Sequence, residues 1–84
     1  MFTVVWHKQA LGELANAWLA TVEKQQLSDS VNRVDATLRL NPKVKGVDFY
    51  GDRLLVVVPL AVVFAIREED RIVEILQVLV APKP

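Results

Sequence analysis

From Leu54 to Ile66, thirteen residues pass without a charged or hydrogen-bonding side chain, and Pro59 interrupts them near the middle. A helix that crosses a membrane needs about 20 apolar residues, so this run is too short. A proline inside it would also break a buried helix. Its richness in β-branched residues predicts two strands instead, Arg53–Val58 and Ala61–Ile66, with the chain reversing at Pro59-Leu60. After the polar break Arg67-Glu68-Glu69-Asp70, a last strand runs from Ile72 to Val80, with only Glu74 and Gln77 polar. Strands this apolar need cover on both faces, from the chain itself or from a partner. Residues 47–50 form a short mixed segment before them, and Gly51-Asp52 reads as a turn or bulge. The tail Ala81-Pro82-Lys83-Pro84 cannot extend a strand ladder through its prolines.

The first half has other periods. Phe2, Val4 and Trp6 alternate, which predicts a strand over residues 2–6. Leu11, Leu14, Ala15, Trp18, Leu19 and Val22 then recur as one face of a helix. Leu27, Val31, Val34 and Leu38 form the stripe of a second helix. Thr21 could cap that helix from about residue 22, or Ser28 could cap a shorter one from 29. Asn41-Pro42 ends it, because proline disfavours helical backbone in the residue before it. Asp29 with Arg33 and Asp35 with Arg39 are acidic-then-basic pairs at i, i+4 on a solvated face. The order β-α-α-β-β-β predicts an α+β fold, with a helical hairpin packed on a small, mainly antiparallel sheet. At 84 residues the chain forms one domain, 1–84, and with no cysteine its stability rests on packing alone.

Charge narrows the function classes. Ten basic residues balance ten acidic ones, and each half of the chain is balanced too. A protein without a basic face is not expected to bind nucleic acid non-specifically. No basic-then-apolar leader opens the sequence and no apolar run suits a membrane, so a cytoplasmic protein is expected; the absence of cysteine agrees.

Few residues suggest chemistry. His7 is the only histidine and has no nucleophile or acid grouped with it, so it reads as an ordinary strand-end residue. Glu68, Glu69 and Asp70 read as a solvated loop; adjacent carboxylates repel one another and do not make a metal site. Trp6 and Trp18 fall on apolar faces and are expected in the core. Gly12, Gly46 and Gly51 are too scattered for a phosphate loop. No cofactor and no metal is expected. Arg53 opens the long apolar stretch beside Tyr50; such a pair can hold an anion, or Arg53 can simply keep a strand edge soluble.

The pattern resembles the RelE/ParE superfamily, the toxins of bacterial type II toxin–antitoxin (plasmid stabilization) modules. The resemblance lies in Val4-Val5-Trp6, Ala10, Leu14 and Trp18, then Arg33-Val34-Asp35 and Asn41-Pro42. It continues through Gly46, Arg53-Leu54 to Val58-Pro59-Leu60, Val63-Phe64-Ala65-Ile66 and Val73-Glu74-Ile75-Leu76-Gln77-Val78, so it covers nearly the whole chain. It implies a small antitoxin, encoded nearby, that wraps the toxin and fills its apolar grooves.

The superfamily divides into RelE-like ribonucleases, which cut messenger RNA on the ribosome without a metal, and ParE-like members, which bind DNA gyrase. The ribonucleases need basic residues on the central strands and further Arg, Tyr or His near the C-terminus. Here Arg53 is followed by Leu54–Val58, the next strand opens Ala61-Val62-Val63, and the tail offers only Lys83. The resemblance therefore implies a ParE-like toxin that acts by binding a protein. Arg53, Tyr50 and Lys83 are its candidate contacts to target or phosphate. A RelE-type ribonuclease and an inactive descendant of the fold are the alternatives.

Overall fold

The computed structural model of the chain describes residues 1–80. It contains β1 (Thr3–Trp6), α1 (Lys8–Ala20), α2 (Lys24–Leu40), a 3-10 turn (Pro42–Val44), β2 (Val47–Phe49), β3 (Asp52–Val57), β4 (Leu60–Arg67) and β5 (Ile72–Val80). The five strands form one sheet in the order β1-β5-β4-β3-β2. Three pairings are antiparallel, and the first and last strands pair in parallel, Val4 beside Val73 and Trp6 beside Ile75. The expected α+β order and mainly antiparallel sheet are present; the 3-10 turn is an addition.

One face of the sheet holds the core. Leu60, Val62 and Phe64 alternate along β4, and with Val73, Ile75 and Val78 of β5 they meet Leu27, Val34 and Leu38 of α2. The β5 spacing changes from two to three because the ladder slips between Val63 and Phe64, leaving Leu76 as an extra residue. That bulge returns Val78 to the core side. Among the described residues the one buried polar side chain, Ser30, is satisfied: its hydroxyl donates to the Val58 carbonyl oxygen at 2.7 Å.

Helix α2 buries the stripe that its sequence presents. It begins at Lys24, between the two expected starts, and Thr21 instead accepts the Glu23 backbone N–H at 3.1 Å. Asp35 and Arg39 pair at 2.6 Å, whereas Asp29 accepts from Gln25 rather than Arg33.

Helix α1 departs from expectation. Ala10 and Ala17 are its buried residues and Leu14 is half-buried, while Leu11, Trp18 and Leu19 face solvent. Val22 lies in the connection and is exposed. The helix leans on β5, and the pairing of β1 stops at Ile75, so the outer edge of β5 continues bare beyond it. Glu13 covers that edge, accepting the Val78 backbone N–H at 2.8 Å. Alanine at 10 and 17 lets the helix axis come close enough for a glutamate to reach a strand amide. The small stripe is therefore the inner one, and the larger apolar stripe is left outside. Trp6 packs against the core as expected; Trp18 does not.

The β2–β3 hairpin turns at Tyr50-Gly51, and both residues have positive φ, +50° and +90°. A two-residue hairpin turn of this hand favours Asn-Gly, and a bulky side chain there is strained. Replacing Tyr50 by asparagine is expected to stabilise the chain by about 1 kcal/mol, read as a higher urea midpoint with an unchanged slope. A lower midpoint would show that the Tyr50 ring, edge-to-face with Phe49 at 4.9 Å, outweighs the strain.

Candidate functional site

Because strand side chains alternate, the residues between the core positions line the second face of the sheet. Val63 lies between Leu54 and Gln77, and Ala61 between Val56 and Leu79. These central side chains are shielded by their neighbours, but Val5, Val47, Val56 and Leu79 around them are exposed. Among the described residues the face is a broad aliphatic surface with no helix on it.

One charged cluster interrupts it. Arg67 at the end of β4, Glu74 in β5 and His7 just after β1 meet on this side. The Arg67 Nε donates to one Glu74 oxygen at 2.5 Å, and His7 Nε2 lies 2.7 Å from the other. No local pattern announces this grouping, since Glu74 stands 67 residues from His7. It arises because β1 pairs in parallel with β5, which sets Val5 beside Glu74 and brings His7 to it. The hydrogen bond from Arg67, and then that from His7, hold the Glu74 carboxyl below its ordinary value of 4.5. In turn, Glu74 raises the Arg67 guanidinium.

A carboxyl whose folded pKa is lowered adds stability above its ordinary value, and that contribution is lost as pH falls through the lowered one. The melting-temperature gap between the wild type and Glu74→Gln is therefore expected to be widest at neutral pH and to shrink below pH 4.5. A gap that does not change with pH would mean that Glu74 acts by shape and not by charge.

Of the expected contact residues, two share the β2–β3 hairpin. Tyr50 is 94% exposed at its tip. Arg53 is half-buried and turned inward: its Nε donates to the Lys45 carbonyl at 2.9 Å and its Nη2 to that of Gly46 at 3.1 Å. Arg53 thus clamps the loop that enters β2. Lys83 lies outside the described residues. Among the described residues no group of three or more His, Cys, Asp or Glu side chains is placed to hold a metal ion, and no helix is long and apolar enough to cross a membrane. Glu68 is paired with Lys43, which fastens the β4–β5 turn to the 3-10 turn.

A second surface lies on α1, where Leu11, Leu14, Ala15, Trp18 and Leu19 line a shallow apolar groove. Lys24 sits at its end. The ammonium donates to the Trp18 and Thr21 carbonyls at 2.7 and 3.0 Å and lies 5.3 Å from the centre of the Trp18 ring. This satisfies the helix C-terminus with a cation and holds the indole in place.

These features define a class: a small α+β protein whose helices back one side of a five-stranded sheet and leave the other side open. The fold is that of the RelE/ParE toxins. A toxin–antitoxin complex structure, RelBE2 from Mycobacterium tuberculosis, matches with a TM-score of 0.77 at 19% identity, over 98% of this chain and 93% of that one. The chromosomal ParDE system of P. aeruginosa matches at 0.63 and 15% identity, over 98% of both chains. The isolated E. coli RelE toxin matches at 0.64 and 16% identity, over 100% of this chain and 88% of that one. No protein-family model matches the sequence, and no curated protein matches it either.

Proposed function

We propose that this chain is the toxin of a type II toxin–antitoxin pair, a single domain over residues 1–84 that works in the cytoplasm by binding a protein target. A small antitoxin encoded beside it neutralises it. The observation that carries the reading is the open sheet face, on a fold shared from end to end with RelE and ParE toxins. Its centre is Ala61, Val63 and Leu54, and the one arginine there, Arg67, is neutralised by Glu74. A face of this kind suits a protein surface and offers little to phosphates. DNA gyrase is the target of first choice, with Tyr50 as an exposed contact and Arg53 holding its hairpin.

A RelE-type ribonuclease is the second reading. It is favoured by the likeness to RelBE2 and by the presence of His7 and Arg67 on the open face, where an imidazole and a guanidinium are what metal-free RNA cleavage requires.

The test is growth of a bacterial culture after induced expression, with and without the neighbouring gene. Arrest relieved by the neighbour, with translated messages intact, supports the protein-binding toxin. Arrest with cleaved messages supports the ribonuclease, and no arrest leaves an inactive descendant of the fold.

A further inference from the structure

We infer that His7 and Arg67 form an oxyanion site on the open sheet face, occupied at rest by the chain's own Glu74 carboxylate, which gives way to the dianionic phosphate of a small phosphomonoester. Three strands build the site. Their register puts Glu74 of β5 between Val5 of β1 and Ala65 of β4. His7 then arrives from the end of β1 and Arg67 from the end of β4, and each takes a different oxygen of the one carboxylate. An ionised carboxylate only accepts hydrogen bonds, so His7 donates from Nε2 as Arg67 does from Nε. Donors from separate strands that close on two oxygens of one group are what oxyanion recognition requires. Two phosphate oxygens can stand where the carboxylate oxygens stand.

Solvent reaches the donors more readily than the carboxylate. The Glu74 side chain is 18% exposed, against 41% for His7 and 62% for Arg67. The donors therefore form the rim and the carboxylate the floor. Arg67 spends only its Nε on Glu74, and its terminal nitrogens make no hydrogen bond among the described residues. An incoming oxyanion can engage that edge before the carboxylate leaves. Charge count then selects the ligand. A tethered carboxylate competes at high effective concentration. A singly charged phosphodiester replaces one negative charge by another and lacks the tether, so it does not displace Glu74. A phosphomonoester is largely doubly charged at neutral pH, its second pKa being about 6, and it brings a third oxygen for the terminal nitrogens of Arg67. Lys8, next to His7, makes no ion pair among the described residues and adds to the attraction. Asp70 opposes it, acting on Arg67 through charge without a hydrogen bond.

This site goes beyond the toxin reading and does not rest on it. The experiment follows the full chain by NMR at neutral pH and constant ionic strength, with methyl phosphate and dimethyl phosphate as probes. The wild type is expected to bind methyl phosphate with a Kd on the order of 1–10 mM, and dimethyl phosphate at least about tenfold more weakly. The Glu74 carboxyl carbon resonance should move as methyl phosphate is added. Glu74→Gln, which keeps the shape and removes the charge, is expected to bind methyl phosphate at least about tenfold more tightly and to discriminate less between the probes. Asp70→Asn removes a charge near Arg67 without opening the site, and should change the affinity less than about twofold. Arg67→Gln should abolish binding. No uptake of methyl phosphate by the wild type up to about 20 mM, or equal uptake of both esters, would overturn the inference. So would equal gains from Glu74→Gln and Asp70→Asn, or uptake that leaves the Glu74 resonance in place. The two wild-type results stand even where a variant is poorly folded. Failure of the toxin reading would appear in the growth assay and leave this titration unchanged.

Discussion

Phe64→Ala is expected to bring the domain to the edge of unfolding. Phe64 is fully buried in β4, between Arg53 on β3 and Ile75 on β5, and belongs to the cluster that joins the sheet to α2. Truncating a buried phenylalanine costs about 3–5 kcal/mol, from lost burial and from the cavity left behind. A chain of 84 residues has roughly 4–13 kcal/mol in total, at about 0.05–0.15 kcal/mol per residue. The substitution therefore removes a large share of the stability, and Phe64→Leu should recover most of it. Urea unfolding of both variants is the measurement. A loss below about 1.5 kcal/mol for alanine would mean that the core closes over the gap.

Gly46→Ala comes next in size, through a different mechanism. A Cβ at this position would lie 2.6 Å from the Leu54 carbonyl oxygen and 3.1 Å from its carbon, with the Phe64 ring at 3.3 Å. The first two are backbone atoms of a paired strand and cannot step aside. The glycine also sits at φ +75°, where an L side chain is strained. Strain of about 1–2 kcal/mol and a clash of about 1–3 kcal/mol add to roughly 2–5. The internal control is Gly51→Ala, where φ is +90° but nothing lies within 4 Å of the new methyl group. That variant bears the strain without the clash. Equal losses at the two sites would show that the close approach to Leu54 does not matter. A larger loss at Gly46 should come with release of the Arg53 clamp, since the Lys45 and Gly46 carbonyls would have to move.

How far the sequence could be read depended on the kind of signal each element carries. The strands were legible from their β-branched apolar runs, although such runs do not say which face turns inward; α2 was legible from a single stripe, because Leu27, Val34 and Leu38 could face only the core. Helix α1 presents two apolar sides that could each be the inner one, one of alanines and one of leucines and tryptophan. Size alone points the leucines inward. What decides otherwise is the tertiary need of β5, whose bare edge draws Glu13 and the small residues to it. The candidate site was partly visible for a related reason. Tyr50 and Arg53 are neighbours in one hairpin, whereas His7, Arg67 and Glu74 assemble through pairing between opposite ends of the chain. No local pattern reports such a pairing. The inward turn of Arg53 was equally hidden, since its acceptors are main-chain carbonyls.

The parallel pairing of β1 with β5 also bears on how the protein comes into being. The first strand waits for β5, which two helices and three strands separate from it in sequence. Until β5 has emerged from the ribosome, β1 and β4 have no strand between them to join. The sheet closes in a late step that brings sequence-distant segments together. A protein built in this order has no finished sheet surface to offer until β5 has been made and paired.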